Sequence, residues 1–155
     1  MPKHHQKRKN NKVKQSLSTR LKEKEERIQK LLESLVAESA KGTPIIVEGK
    51  KDIQTLRTLG IEGPILTAKT GGRNFLDVLS EAEKTGQRKV ILLLDFDRRG
   101  KEWTKRLKQN LETAQITPNT DLWHQLSAIV GKGIKDIESL GTYMETMKKK
   151  TGYRP

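Results

Sequence analysis

The apolar run Val90-Ile91-Leu92-Leu93-Leu94 ends in two carboxylates, Asp95 and Asp97, and passes into Arg98-Arg99-Gly100, where a helix begins. Its length is that of a strand. Residues two apart on a strand point to the same side, so Asp95 and Asp97 are expected to face one site at the carboxyl end of a sheet. That edge is where open α/β folds bind ligands. An earlier strand-like run, Pro44-Ile45-Ile46-Val47, delivers a third carboxylate, Glu48, followed by Gly49. Carboxylates gathered at one edge repel one another unless protonated or bridged by a cation, and Mg²⁺ takes oxygen ligands of this kind. A shared ion requires all three to converge within a few ångströms, with no lysine filling the gap.

Between and beyond these runs, strands alternate with helices. The pattern predicts strands at 44–48, 64–67 and 89–95, a short one near Ile116, and helices at about 50–59, 74–85 and 99–114. Two more helices, near 120–130 and 136–149, are separated by Gly131-Lys132-Gly133. Such alternation implies right-handed crossovers and a mostly parallel sheet covered on both faces. Ahead of it, Leu21, Ile28, Leu32 and Leu35 recur at helical spacing, with Ser18 as a plausible cap and Gly42 and Pro44 as the stop. That apolar stripe suits docking on the domain or on a partner better than a coiled coil, because the repeat lasts too few heptads.

The net charge of +13 matters once it is located. Residues 1–15 hold six Lys/Arg and no acid, and residues 148–155 hold four and no acid, so the two ends carry most of the excess. Basic tails suit a polyanion, because each neutralised phosphate releases a counterion; the bland alternative is a solvated arm that helps solubility. Residues 1–15 offer almost nothing to bury and read as disordered. With 32% hydrophobic residues in 155, the chain supports one cored domain rather than two. The absence of cysteine excludes disulfides and thiolate metal sites, and fits a reducing cytoplasm. No apolar run approaches the length of a membrane span, and no membrane partner is expected.

Glu48-Gly49 after one strand, Asp95-Phe96-Asp97-Arg98-Arg99-Gly100 after a later one, and a full βαβα passage between them resemble the Toprim domain. That domain is shared by bacterial-type primases, type IA and II topoisomerases, recombination-mediator proteins, a class of nucleases, and the ribonuclease that matures 5S rRNA. The match covers about residues 43–117. With its short length and the segments Glu48-Gly49-Lys50-Lys51-Asp52 and Ile134-Lys135-Asp136-Ile137-Glu138-Ser139-Leu140, the chain looks most like small stand-alone archaeal Toprim proteins. The resemblance implies a Rossmann-like, mostly parallel four-stranded sheet flanked by helices. The expected parts are a basic disordered arm (1–15), an amphipathic helix (16–41), the Toprim domain (42–118) and a helical extension with a basic tail (119–155).

It also implies roles. Glu48 would act as general acid/base or metal ligand, and Asp95 and Asp97 would hold Mg²⁺, with Mn²⁺ as a substitute. Lys50, Lys51, Arg73, Arg98 and Arg99 are placed to contact phosphates, and Lys7, Arg8, Lys9, Lys12 and Lys14 form the nucleic-acid arm. The expected function is a small metal-dependent nuclease in ribosomal RNA processing, with RNA favoured over DNA. The rival is a non-catalytic module seated on ribosomal RNA or another ribonucleoprotein.

Plainer readings stand beside these. Gly71-Gly72-Arg73 is either a phosphate loop or a tight turn, and Lys50 and Lys51 could be a solvated first turn. The face Lys101, Lys105, Arg106, Lys108 is either ordinary helix surface or a nucleic-acid track. Trp103 and Trp123 read as packing rather than stacking platforms, and the histidines form no metal cluster. No Gly-x-x-x-x-Gly-Lys-Ser/Thr precedes the acids, which argues against a P-loop NTPase.

Overall fold

A computed structural model describes the backbone of residues 2–69 and 75–151 and the side chains of 19–69, 76–131 and 133–150. Four strands, β1 (Ile45–Val47), β2 (Ile65–Thr67), β3 (Lys89–Leu92) and β4 (Thr117–Asn119), form one sheet in the order β2-β1-β3-β4. Every pairing is parallel: Ile45 sits beside Ile65 and Ile91, and Val90 beside Pro118. The connections are α2 (Lys50–Thr58), α3 (Phe75–Lys84) and α4 (Arg98–Thr113), and α5 (Asp121–Val130) and α6 (Ile137–Thr151) follow the last strand. The chain therefore leaves β1 in one direction and returns for β3 on its other side. That reversal opens a crevice between the carboxyl ends of β1 and β3.

Strand alternation divides the core. Ile45, Val47, Ile91 and Leu93 face a layer made by α1 (Pro2–Ala40), α2, α5 and α6. Ile46, Val90, Leu92 and Leu94 face α3 and α4 through Val78, Ala82, Leu107 and Leu111. Both faces are covered, which is why these strands show no polar alternation. The apolar run outlasts its strand: β3 ends at Leu92, yet Leu93 and Leu94 remain buried because each still faces one of the two layers.

α1 docks on the domain through Ile28, Leu32 and Leu35, beside α5 and α6. It is longer than the sequence pattern suggested. The helix begins at Pro2, not near Ser18, so the segment expected as a disordered arm continues the docked helix. Proline is well placed in a first turn, where its missing N–H costs nothing, and no glycine or further proline interrupts the chain before Gly42. At 39 residues the helix is about 58 Å long. Gly42, at φ +95°, ends it in a backbone conformation that a side chain would strain.

Candidate metal and nucleic-acid site

Glu48 leaves the end of β1 and is 5% exposed. Its Oε1 faces the backbone N–H of Asp95 at 3.4 Å, across the β1–β3 crevice. Its Oε2 accepts from the Lys69 ammonium at 2.7 Å. Lys69 follows β2 and its main-chain N–H donates to the Glu48 carbonyl at 3.1 Å, so the parallel β1–β2 pairing delivers this lysine. The ammonium also lies 5.1 Å from the centre of the Trp103 ring, which Arg99 approaches to 6.0 Å.

Around this pair a recess of about 300 Å³ is lined by Glu48, Asp52, Asp95, Asp136 and Glu138, with Lys50, Lys51 and Lys69 beside them. Burial raises the Asp95 carboxyl to about 8, helped by its hydrogen bond to the Glu48 carboxylate and by the charges of Glu48, Asp52 and Asp136. Burial also raises Asp52, against the lowering effect of two backbone donors. Those donors are the Gly49 N–H at 3.1 Å and the Glu138 N–H at 3.3 Å, so Asp52 ties the start of α2 to the start of α6.

Asp97 takes a different place. It caps α4, its Oδ1 accepting from the Gly100 N–H at 2.8 Å, and it does not line the recess. Gly100 is required for a local reason: a Cβ there would overlap the Asp95 carbonyl. The first turn of α4 thus closes on the Asp95 backbone itself. Phe96 is held by its N–H to the Lys135 carbonyl, and the Trp123 indole donates to the Leu94 carbonyl at 2.8 Å. The acidic loop is fastened on three sides.

Of the residues singled out in the sequence, Glu48, Asp95, Lys50 and Lys51 come together in the recess. Arg98 and Arg99 occupy the first turn of α4, where Arg98 is exposed and pairs weakly with Glu102 at 3.7 Å. Arg73 lies outside the described residues, as do the side chains of Lys7, Arg8, Lys9, Lys12 and Lys14. Sequence reasoning gave no role to Lys69, Asp52, Asp136 or Glu138. The signal for Lys69 was topological: a residue two beyond the end of β2 lies beside Glu48 once β2 is set parallel to β1.

Residues 43–123 match the Toprim domain. The chain belongs to the Toprim family. Its relatives include small archaeal UPF0292 proteins. The protein is 37% identical to one from Methanosarcina barkeri over 83% of its own length and 87% of the relative's. It is 38% identical to one from Methanocaldococcus jannaschii over 77% and 91%. A solved structure, a putative protein from Aquifex aeolicus, superposes with a TM-score of 0.60 at 26% identity, covering 70% of this Toprim chain and 94% of the other. Toprim domains generally bind a divalent metal such as Mg²⁺ and are associated with nucleic acid.

The three-carboxylate site expected from the sequence is not formed, because Asp97 caps α4 and the Lys69 ammonium sits on Glu48; a smaller set of oxygen donors remains. Among the described residues no group of three or more His, Cys, Asp or Glu is arranged to hold a metal. Two carboxylates in contact, Glu48 and Asp95, remain, and Mg²⁺ is commonly held by one or two carboxylates plus waters and substrate phosphates. Burial first, and then the neighbouring Glu48 carboxylate, hold the Asp95 carboxyl at about 8, so a cation between the two would relieve both the desolvation and the repulsion. Among the described residues, no helix is long and apolar enough to cross a membrane.

Proposed function

We propose that this Toprim protein is a Mg²⁺-dependent nuclease acting on RNA, ribosomal RNA being the favoured substrate. The observation that carries the reading is the Glu48–Asp95 pair at the β1–β3 reversal, where burial and mutual repulsion push Asp95 up to about 8. A bound divalent ion would stabilise charge on the non-bridging and leaving oxygens of a phosphodiester. Glu48 and Asp95 would hold it, with Asp97 fixing α4 behind them rather than reaching the recess. Lys50 and Lys51, on the first turn of α2, would receive the flanking phosphates. Lys69 would stabilise the negative charge that develops on the phosphate. Asp95, raised to about 8 in the metal-free chain, would give up its proton as the ion binds.

A second reading is favoured by one observation: the Lys69 ammonium already satisfies Glu48. In that reading the carboxylates are structural and the molecule is an RNA-binding module without catalysis. The experiment incubates purified protein with precursor ribosomal RNA, transfer RNA, and single- and double-stranded DNA in Mg²⁺, Mn²⁺ or EDTA. Cleavage of RNA that stops in EDTA and falls about 10²- to 10⁴-fold in Glu48→Gln and Asp95→Asn is the expected result. Tight RNA binding with no cleavage under any ion would establish the module instead.

A further inference from the structure

A second cavity of about 510 Å³ runs between α4 and α5, away from the acidic recess. One wall carries Lys101, Lys105 and Lys108, spaced so that three ammoniums share one side of α4. All three are exposed, and no carboxylate lines the cavity. The other wall presents the exposed His124, whose ring stands edge-on to Trp123 at 4.9 Å and 76°. Trp123 itself is buried and hydrogen-bonded to Leu94, so the imidazole rests on a fixed support. Thr104 and Ser127 add hydroxyl groups to the lining.

We infer that this groove binds a single-stranded nucleic-acid segment, lysines on its phosphates and His124 against a base. The inference goes beyond the recess and holds whether or not the recess cleaves. Positive grooves edged with aromatic rings take single strands because an unstacked base offers a ring face and a duplex does not. The groove also has a length. Lys101 and Lys108 are separated by about 10 Å along the helix axis, a span over which the three ammoniums can reach successive phosphates of one strand. Past Lys108 the surface continues into a cavity where Glu38 and Asp121 offset Lys89 and Lys108, so the attraction for a polyanion is weaker there. Toward the other end, α4 leads back through Arg99 and Arg98 to the Asp95 loop. A strand lying along α4 is therefore aimed at the recess.

The test uses the full chain in EDTA, so that cleavage plays no part, with a short fluorescein-labelled single-stranded RNA and its duplex followed by anisotropy. Replacing Lys101, Lys105 and Lys108 together by alanine should weaken single-strand binding on the order of ten-fold or more at moderate salt. It should also flatten the log–log salt slope by about 2, at roughly 0.7 per phosphate. His124→Ala should weaken the single strand about ten-fold with the slope unchanged, since stacking is not an ionic contact. A control replacing the exposed Lys22, Lys30 and Lys84 by alanine should change the affinity far less. Unchanged binding in the triple lysine variant, with circular dichroism confirming its fold, would overturn the proposal. So would an equal loss of single strand and duplex in His124→Ala.

Discussion

The recess and the α4–α5 groove differ in the charge they gather, although the Asp95 loop of the recess leads directly into α4. The recess gathers five carboxylates beside three lysines in a volume of about 300 Å³, and the groove gathers three lysines and no acid in about 510 Å³. The recess is built on strand ends and fastened by buried hydrogen bonds; the groove is built from exposed side chains on two helices. Charge held at close quarters in a buried place needs a scaffold, because each group must be kept against its neighbours' repulsion. Charge spread along an open helix face needs none. Substitutions should accordingly disturb folding at the recess and disturb only binding at the groove.

Gly100→Ala should have the largest effect, because it strikes the joint between the two regions. The added Cβ overlaps the Asp95 backbone, which has nowhere to retreat with Phe96 and Leu94 both tied down. A loss of about 1–3 kcal/mol in urea unfolding is expected, with weakened Mg²⁺ binding by calorimetry. Wild-type stability in this variant would mean that α4 is not locked to the acidic loop.

Lys69→Met should come next. Glu48 is left 7% exposed without its ammonium, and a loss of about 1–2 kcal/mol follows in EDTA, discounted because Lys69 itself is 27% exposed. Mg²⁺ should restore more stability to this variant than it adds to the wild type. Equal gains in both proteins would show that the ion and Lys69 do not meet at Glu48.

The pH dependence sharpens the same contrast. Asp95 is raised from an ordinary 3.8 to about 8, so between those values the folded chain holds a proton that the unfolded chain has lost. Its contribution to stability is complete below the unfolded value and is lost as pH rises through the folded one. Metal-free protein should therefore melt at progressively lower temperature from about pH 4 to about pH 8, and Asp95→Asn should flatten that decline. A melting temperature that climbs over this interval by the same amount in both proteins would remove Asp95 as its source.

The smallest effect belongs to the exposed first turn of α4. Arg98 and Glu102 pair at 3.7 Å with side chains 94% and 66% exposed, and Arg98→Ala should change stability by less than about 0.5 kcal/mol. A larger loss in thermal unfolding would show that the first turn of α4 is held from outside as well as by Asp97.

The order of strands and helices was readable because each carries a strong local signal: unbroken apolar runs for β1 and β3, and periodic ones for α1 and α3. The pairing of Glu48 with Asp95 was readable from the same runs, since both acids follow buried apolar runs. Other features depend on what lies beside what. Asp97 looks equivalent to Asp95 by strand alternation, but the strand ends at Leu92 and the chain has already begun to turn toward the helix that Asp97 caps. Lys69 gives no sign of its role until β2 is placed next to β1. Asp136 and Glu138 reach the recess from a segment well beyond the last strand in the chain, a separation in sequence that no local pattern bridges.

The contact between Lys69 and Glu48 has a consequence for how the crevice fills. A fold that carries its own counter-ion stands ready without borrowing one from solution. A dissolved cation that took Glu48 Oε2 would displace the Lys69 ammonium, and that exchange would free one more positive group for an incoming phosphate.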